Sequence, residues 1–360
     1  MQRRFWIKTG KVLIVTLLML TAFGSPELKA ADWRLLTDLR GAWLFTVGDD
    51  PAWAIPETDT GDWDRLNAPG DWERYYPEYN GYAWYRKTFN LKAIPKTKAL
   101  TLFLGYIDDV DEVFINGQKV GQTGQFFPNY QTAYNVERRY VVPVSLLKES
   151  GNVIAVRVYD EYQYGGIISA DRFGLYYDRE QEMLRVDLSG NWKFSIDNFG
   201  DNHSVSLDDS GWDELFVPMT WESQGYPDYD GKAWYRKRFT MPASLQGQDL
   251  FLVLGKIDDF DKVYLNGKLI GRVEELEQYS RFRRGNAYNL IRAYEIPKGL
   301  IKAKNLISVE VDDPMGVGGI YEGPVGIMTG DAARELLNKH RWSSGNNWNF
   351  SFWDLFRIIE

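Results

Sequence analysis

The feature that most constrains this chain is a duplication. Ala83-Trp84-Tyr85-Arg86-Lys87 returns as Ala233-Trp234-Tyr235-Arg236-Lys237. Tyr76-Pro77-Glu78-Tyr79-Asn80-Gly81 returns as Tyr226-Pro227-Asp228-Tyr229-Asp230-Gly231. Gly105-Tyr106-Ile107-Asp108-Asp109 matches Gly255-Lys256-Ile257-Asp258-Asp259, and Asn116-Gly117 matches Asn266-Gly267. The offset drifts from 149 at Gly41/Gly190 to 153 at Gly165-Gly166-Ile167 against Gly318-Gly319-Ile320. A period of this length is a whole domain, far longer than the unit of a solenoid. The sequence therefore predicts two copies of one fold, over residues 31–181 and 182–330, with a tail at 331–360.

Residues 1–30 read as an export signal. Arg3, Arg4, Lys8 and Lys11 precede an apolar run from Val12 to Phe23, too short for a comfortable membrane span, and small residues follow. Cleavage after Gly24 or Ala30 is expected, and removal of residues 1–30 would leave 37 basic and 49 acidic residues, a net charge of −12. A surface so acidic repels phosphate backbones, which argues against nucleic acid as a partner. After cleavage no transmembrane span is expected. The chain has no Cys, so no disulfide and no lipidated cysteine, and its two His (His203 and His340) leave little scope for His-based metal sites or triads.

Each copy reads as all-β. Val113 to Val120 and Val263 to Ile270 are both strand, Asn-Gly, strand, a hairpin signal because both turn positions need positive φ. Val153 to Val158 and Leu306 to Val311 alternate as half-buried strands do. No helical period stands out between Leu35 and Gly330. In the tail, Ala332–Leu337 and Trp353–Ile359 are short helix candidates that either pack back on a sandwich or dock a protein partner.

These motifs resemble the sugar-binding jelly-roll domain of family 2 glycoside hydrolases, a member of the galactose-binding-like superfamily. The likeness rests on Gly41-Ala42-Trp43-Leu44-Phe45 and Trp84-Tyr85-Arg86-Lys87-Thr88-Phe89, and on Gly190-Asn191-Trp192-Lys193-Phe194 and Trp234-Tyr235-Arg236-Lys237-Arg238-Phe239. The hairpins Gly105 to Gly121 and Gly255 to Gly271 extend it. The run from Arg139 to Ile167 is also similar to the accessory domain of sialate O-acetylesterases. The resemblance implies two tandem jelly-roll β-sandwiches that bind sugar without catalysing its cleavage. In those families the domain accompanies a catalytic module, for which the tail has no room, and no Gly-x-Ser-x-Gly motif is present.

Candidate ligand residues combine aromatic platforms with polar groups, the usual make-up of a sugar site. In copy one they are Trp72, Glu73, Tyr76, Tyr82, Phe126, Phe127, Tyr130, Tyr162 and Tyr164. In copy two they are Trp221, Glu222, Tyr226 and the basic group Arg281, Arg283 and Arg284, suited to a carboxylated sugar. Trp84 and Trp234, shared by the copies, are expected to be packing residues. The doublets Asp108-Asp109 and Asp258-Asp259 are not expected to be catalytic pairs, because neighbouring strand residues face opposite ways. A buried Asp paired with Arg86 or Arg236 is the structural expectation. A structural calcium is the other role for acids in loops, with Asp108, Asp109 and Asp160 as ligands in copy one and Asp258, Asp259 and Asp312 in copy two. No other cofactor is expected. The leading functional reading is an exported, non-catalytic protein with two glycan sites. A hydrolase acting on glycosidic bonds and a protein-binding structural or sensory ectodomain are the alternatives.

Overall fold

A computed structural model describes residues 33–197, 200–274 and 287–343, with side chains to residue 340. The expected signal segment lies outside the described residues, as do Arg281, Arg283, Arg284 and the second helix candidate of the tail.

The first pair of sheets faces across one core. One sheet orders its strands Trp33–Asp38, Gly174–Asp178, Ala99–Asp108, Gly166–Ser169 and Gly70–Asp71, with Glu137–Pro143 also paired to Ala99–Asp108. The other runs Asp64–Ala68, Gly41–Val47, Gly81–Phe89, Asn152–Asp160, Val110–Ile115 and Gln118–Thr123. All of these pairings are antiparallel. The second pair repeats the plan. Val186–Asp187, Gly319–Thr329, Leu250–Asp258 and Ile291–Glu295 form one sheet. Asp213–Val217, Gly190–Ser195, Gly231–Thr240, Lys304–Asp313, Phe260–Leu265 and Lys268–Val273 form the other. All-β sandwiches are thus what the alternating pattern produces.

Period-two alternation explains the burial. Ile154, Val156 and Val158 point into the first core, whereas Val153, Arg157 and Tyr159 are only partly covered. Trp43, Phe45, Trp72 and Tyr85 fill the same core, and Trp192, Phe194, Trp221 and Tyr235 fill the second. Trp84 is buried on the opposite face, under Trp53 and beside Phe114, so it packs as expected.

The Asn-Gly turns do more than reverse the chain. Asn116 and Gly117 have φ of 50° and 83°, and Asn266 and Gly267 have 51° and 81°. The Asn116 carboxamide donates to the Leu146 carbonyl at 2.7 Å and accepts from the Val153 amide at 2.8 Å, pinning the hairpin to the next strand. Asn266 does the same with Leu300 and Leu306, both at 2.9 Å.

The tail contributes a helix, Gly330–Ser343, longer than its apolar run suggested. Its Ala333 and Leu336 are buried against Phe251, Val253 and Met328 on the outer face of the copy-two sheet. That packing spends the helix's apolar residues inside this chain.

Candidate functional site

The Asp108-Asp109 doublet sits where one sheet hands the chain to the other. Asp108 ends the strand Ala99–Asp108 and Val110 begins Val110–Ile115 in the opposite sheet. The doublet therefore occupies a corner, joined by a cis peptide bond, and strand alternation does not apply to it. Its two carboxyl groups converge instead of pointing apart, which corrects the expectation from strand geometry. Asp160, the last residue of Asn152–Asp160, brings a third carboxylate. One oxygen from each of Asp108, Asp109 and Asp160 lies within 4.8 Å of the others.

Copy two rebuilds this group from Asp258, Asp259 and Asp313, within the same 4.8 Å. Asp313, not Asp312, is the third member. Gly81 pairs with Asp160 and Gly231 pairs with Asp313, so the repeat offset has already reached 153 at this point. Asp312 is one strand position away and turns to Lys232 at 3.4 Å. The Gly165/Gly318 offset in the sequence carried that information.

The clusters are poorly satisfied from within the protein. Asp160 is fully buried and neither of its carboxylate oxygens makes a well-formed hydrogen bond, although the Tyr162 amide is near enough to favour its charge. Asp313 is also fully buried; one oxygen accepts from the Met315 amide at 3.1 Å and the other has no partner. Glu73 joins the first group: one oxygen accepts from the Gly165 amide at 2.9 Å, and the other is buried and unpartnered. Glu222 repeats this with Gly318 at 2.9 Å. Burial, Asp109 and Glu73 push Asp160 up to about 7. Burial and the hydrogen-bonded Asp109 raise Asp108. Asp109 goes the other way: burial opposes its charge, but hydrogen bonds from the Thr132 hydroxyl and the Glu161 amide hold it low. In copy two, burial raises Asp313 to about 6 and Glu222 to about 7, and burial and Asp259 raise Asp258. Buried carboxylates without partners are costly unless a proton, a cation or a ligand donor reaches them.

A pair of arginines that the sequence reading passed over supports the corners. Arg138 is fully buried; it donates to Asp111 at 2.6 Å and to the Asp109 carbonyl at 2.7 Å. Arg292 donates to Asp261 at 2.8 Å and to the Asp259 carbonyl. Tyr140 and Tyr294 complete the arrangement by donating to the second oxygen of Asp111 and Asp261. The expected buried pair of Arg86 with an aspartate is absent: Arg86 donates to the carbonyls of Trp53, Ile55 and Pro56. Arg236 does meet a buried acid, but it is Asp209 at 2.8 Å, outside the doublet.

The aromatic candidates divide into three groups. Trp72 and Trp221 are fully buried core residues and offer no platform, contrary to the sequence reading. They form the floor under the glycine pair: a Cβ on Gly165 would come within 2.2 Å of the Trp72 ring, and one on Gly318 within 1.9 Å of Trp221. Tyr76 and Tyr226 are committed to the fold, packing tilted against Phe45 and edge-on to Phe194 and donating to Asp64 and Asp213. Tyr82 and Phe126 stack on one another at 5.9 Å with the Arg157 guanidinium 4.6 and 4.4 Å from their centroids, so each has spent a face. Tyr162, Tyr164 and Phe127 remain exposed, at 72%, 62% and 53%. Phe127 stacks on Tyr130 at 5.3 Å, and burial and the nearby Asp109 raise the Tyr130 phenol, so this aromatic group lies beside the carboxylates. Tyr162 and Tyr164 lie in the loop between Asp160 and Gly165. In copy two the matching positions are Met315 and Val317, exposed at 74% and 48%.

The fold and site thus describe paired β-sandwiches, each carrying a buried carboxylate cluster at a sheet corner. No protein-family model matches the chain. A putative β-glucuronidase of Formosa agariphila is 28% identical over 149 residues, 38% of this chain and 13% of that protein. The β-galactosidase BoGH2A of Bacteroides ovatus is 30% identical over 141 residues, 35% of this chain and 15% of that one. The chain spans 13% and 15% of the length of these curated relatives. A calcium-binding mutant of Bacteroides uniformis β-glucuronidase 2 aligns over 78% of this chain and 28% of its own, at 16% identity and a TM-score of 0.34. A Faecalibacterium prausnitzii β-glucuronidase aligns over 35% of this chain and 20% of its own, at 21% identity and a TM-score of 0.29. The sequence relatives are family 2 glycosidases, in line with the resemblance of both copies to galactose-binding-like sandwiches.

Proposed function

We propose that this chain is an exported, non-catalytic carbohydrate-binding protein whose ligand sites are the corner clusters, with copy one as the principal site. The observation that carries this reading is the copy-one corner itself. Asp160 and Glu73 hold buried acceptors without a well-formed partner beside the carboxylates of Asp108 and Asp109, and Tyr162, Tyr164 and Phe127 are exposed. Sugar hydroxyls donate to such acceptors, and the apolar face of a pyranose stacks on tyrosine. The relatives' names, β-glucuronidase and β-galactosidase, add support for a glycan ligand.

A hard cation fits the same carboxylates. Calcium takes six to eight oxygen ligands at about 2.3–2.6 Å, and three converging carboxylates with unused lone pairs are the donor set it prefers. Asp108, Asp109 and Asp160 would hold it in copy one, and Asp258, Asp259 and Asp313 in copy two. It would neutralise charge that the protein leaves unpaired.

Glycan-array binding followed by calorimetric titration, with and without calcium, tests the reading. The expected result is glycan binding with no release of chromophore from nitrophenyl glycosides. Turnover that is lost in Asp108→Asn or Asp258→Asn would replace it with a hydrolase.

A further inference from the structure

We propose that the C-terminal helix Gly330–Ser343 is a strap that clamps the linker between the two sandwiches and so fixes their relative placement. This goes beyond carbohydrate binding and holds whether or not the corners bind glycan.

The linker is the short 3₁₀ turn Arg179–Met183, entered from Asp178, whose carboxylate accepts from the Glu180 amide at 2.9 Å. Glu180 is 3% exposed, a buried acid in the segment that joins the two copies. Its charge is met by the helix alone among the ion pairs described: Lys339 lies 2.8 Å from one oxygen and His340 2.9 Å from the other. Burial works against the Glu180 charge, but these two contacts hold its pKa below the ordinary carboxylate range. The next residues, Met183 and Leu184, pack into the cluster that Ala333 and Leu336 make with Phe251, Val253 and Met328. The helix therefore grips the linker twice, once by charge and once by apolar contact.

Neighbouring contacts tie the linker to copy one and join the two copies directly. Thr97 of copy one donates to Gln181 at 2.6 Å, and Lys98 donates to the Ser189 carbonyl at 2.8 Å. Arg139 of copy one meets Glu322 of copy two at 3.0 Å. Met219 of copy two lies in the copy-one core cluster. Copy one covers the equivalent sheet face differently, with Trp33 edge-on to Phe103 at 5.1 Å and the Arg172 guanidinium over the same ring at 4.2 Å. The helix is thus an addition to the duplicated plan, placed where the two copies join.

The test is hydrogen exchange on the full chain carrying Lys339→Ala with His340→Ala, and separately Leu336→Ala. Linker amides 179–185 are expected to exchange roughly tenfold faster or more in both variants, while hairpin amides in both sandwiches keep their protection. Small-angle scattering should then show a wider spread of inter-copy distances. Unchanged linker exchange in both variants overturns the proposal. Exchange rising equally in the linker and in both sandwiches also overturns it, because the helix would then stabilise the whole chain without clamping the joint.

Discussion

Replacing Arg138 by Met removes the group that holds the copy-one corner. Arg138 and Asp111 are both fully buried, and the replacement strands the Asp111 carboxylate and the carbonyls of Asp109 and Val136. Breaking a buried pair by removing one partner costs about 3–5 kcal/mol. For a domain of this size each kcal/mol is roughly 2–4 °C in Tm, so the copy-one transition should fall by about 6–20 °C. The sign with pH follows from the same contact. Burial already raises Asp111 in the intact protein while Arg138 opposes the rise. Without Arg138 the folded carboxyl climbs further above its unfolded value, so the variant's deficit shrinks as pH falls and grows as pH rises. Differential scanning calorimetry at several pH values reads both effects, and Arg292→Met repeats the experiment in copy two. Arg138→Met with Asp111→Leu removes both charges and should recover much of the loss, since Tyr140 keeps the Thr123 hydroxyl at 2.7 Å. A single variant that melts within about 2 °C of the parent at neutral pH would refute the assignment of Arg138 as the corner's support.

Four other outcomes follow from the corners. Asp160 and Glu222 are raised to about 7, so the metal-free protein should gain stability as pH falls from about 8 towards 5, when the folded carboxyls take up protons before the unfolded ones do. Calcium added at pH 8 should raise the melting temperature and flatten that slope; a metal-insensitive melting curve at every pH would remove the cation from the account. Gly165→Ala should lose roughly 1–3 kcal/mol in chemical denaturation because its Cβ collides with the fully buried Trp72, and a neutral result would show that the floor can yield. Tyr162→Ala with Tyr164→Ala should leave thermal stability within about 0.5 kcal/mol of the parent, as both rings are mainly exposed, yet weaken glycan binding several-fold.

Much of the fold was legible because its determinants are local. Asn-Gly with alternating neighbours specified each hairpin, and repetition separated scaffold from variation at Trp84 and Trp234. The corners were harder. That Asp108 and Asp109 converge depends on the chain leaving one sheet for another between adjacent residues, which alternation within a single strand cannot express. Arg138 finds Asp111 across 27 residues through the pairing of two sheets, so neither residue advertises the other. Trp72 resembled a sugar platform by composition, but its ring is the floor on which Gly165 rests. Asp313 takes the place expected for Asp312 because the repeat offset grows from 150 at the doublets to 153 before that strand.

The most direct measurement is calorimetric titration of the best array glycan into the parent protein and into Asp160→Asn, with calcium present and absent. The account predicts binding by the parent that weakens at least about tenfold in Asp160→Asn, with the fold intact, because the fully buried carboxylate is the centre of the copy-one cluster. Equal affinity in parent and variant, with both folded, would contradict it.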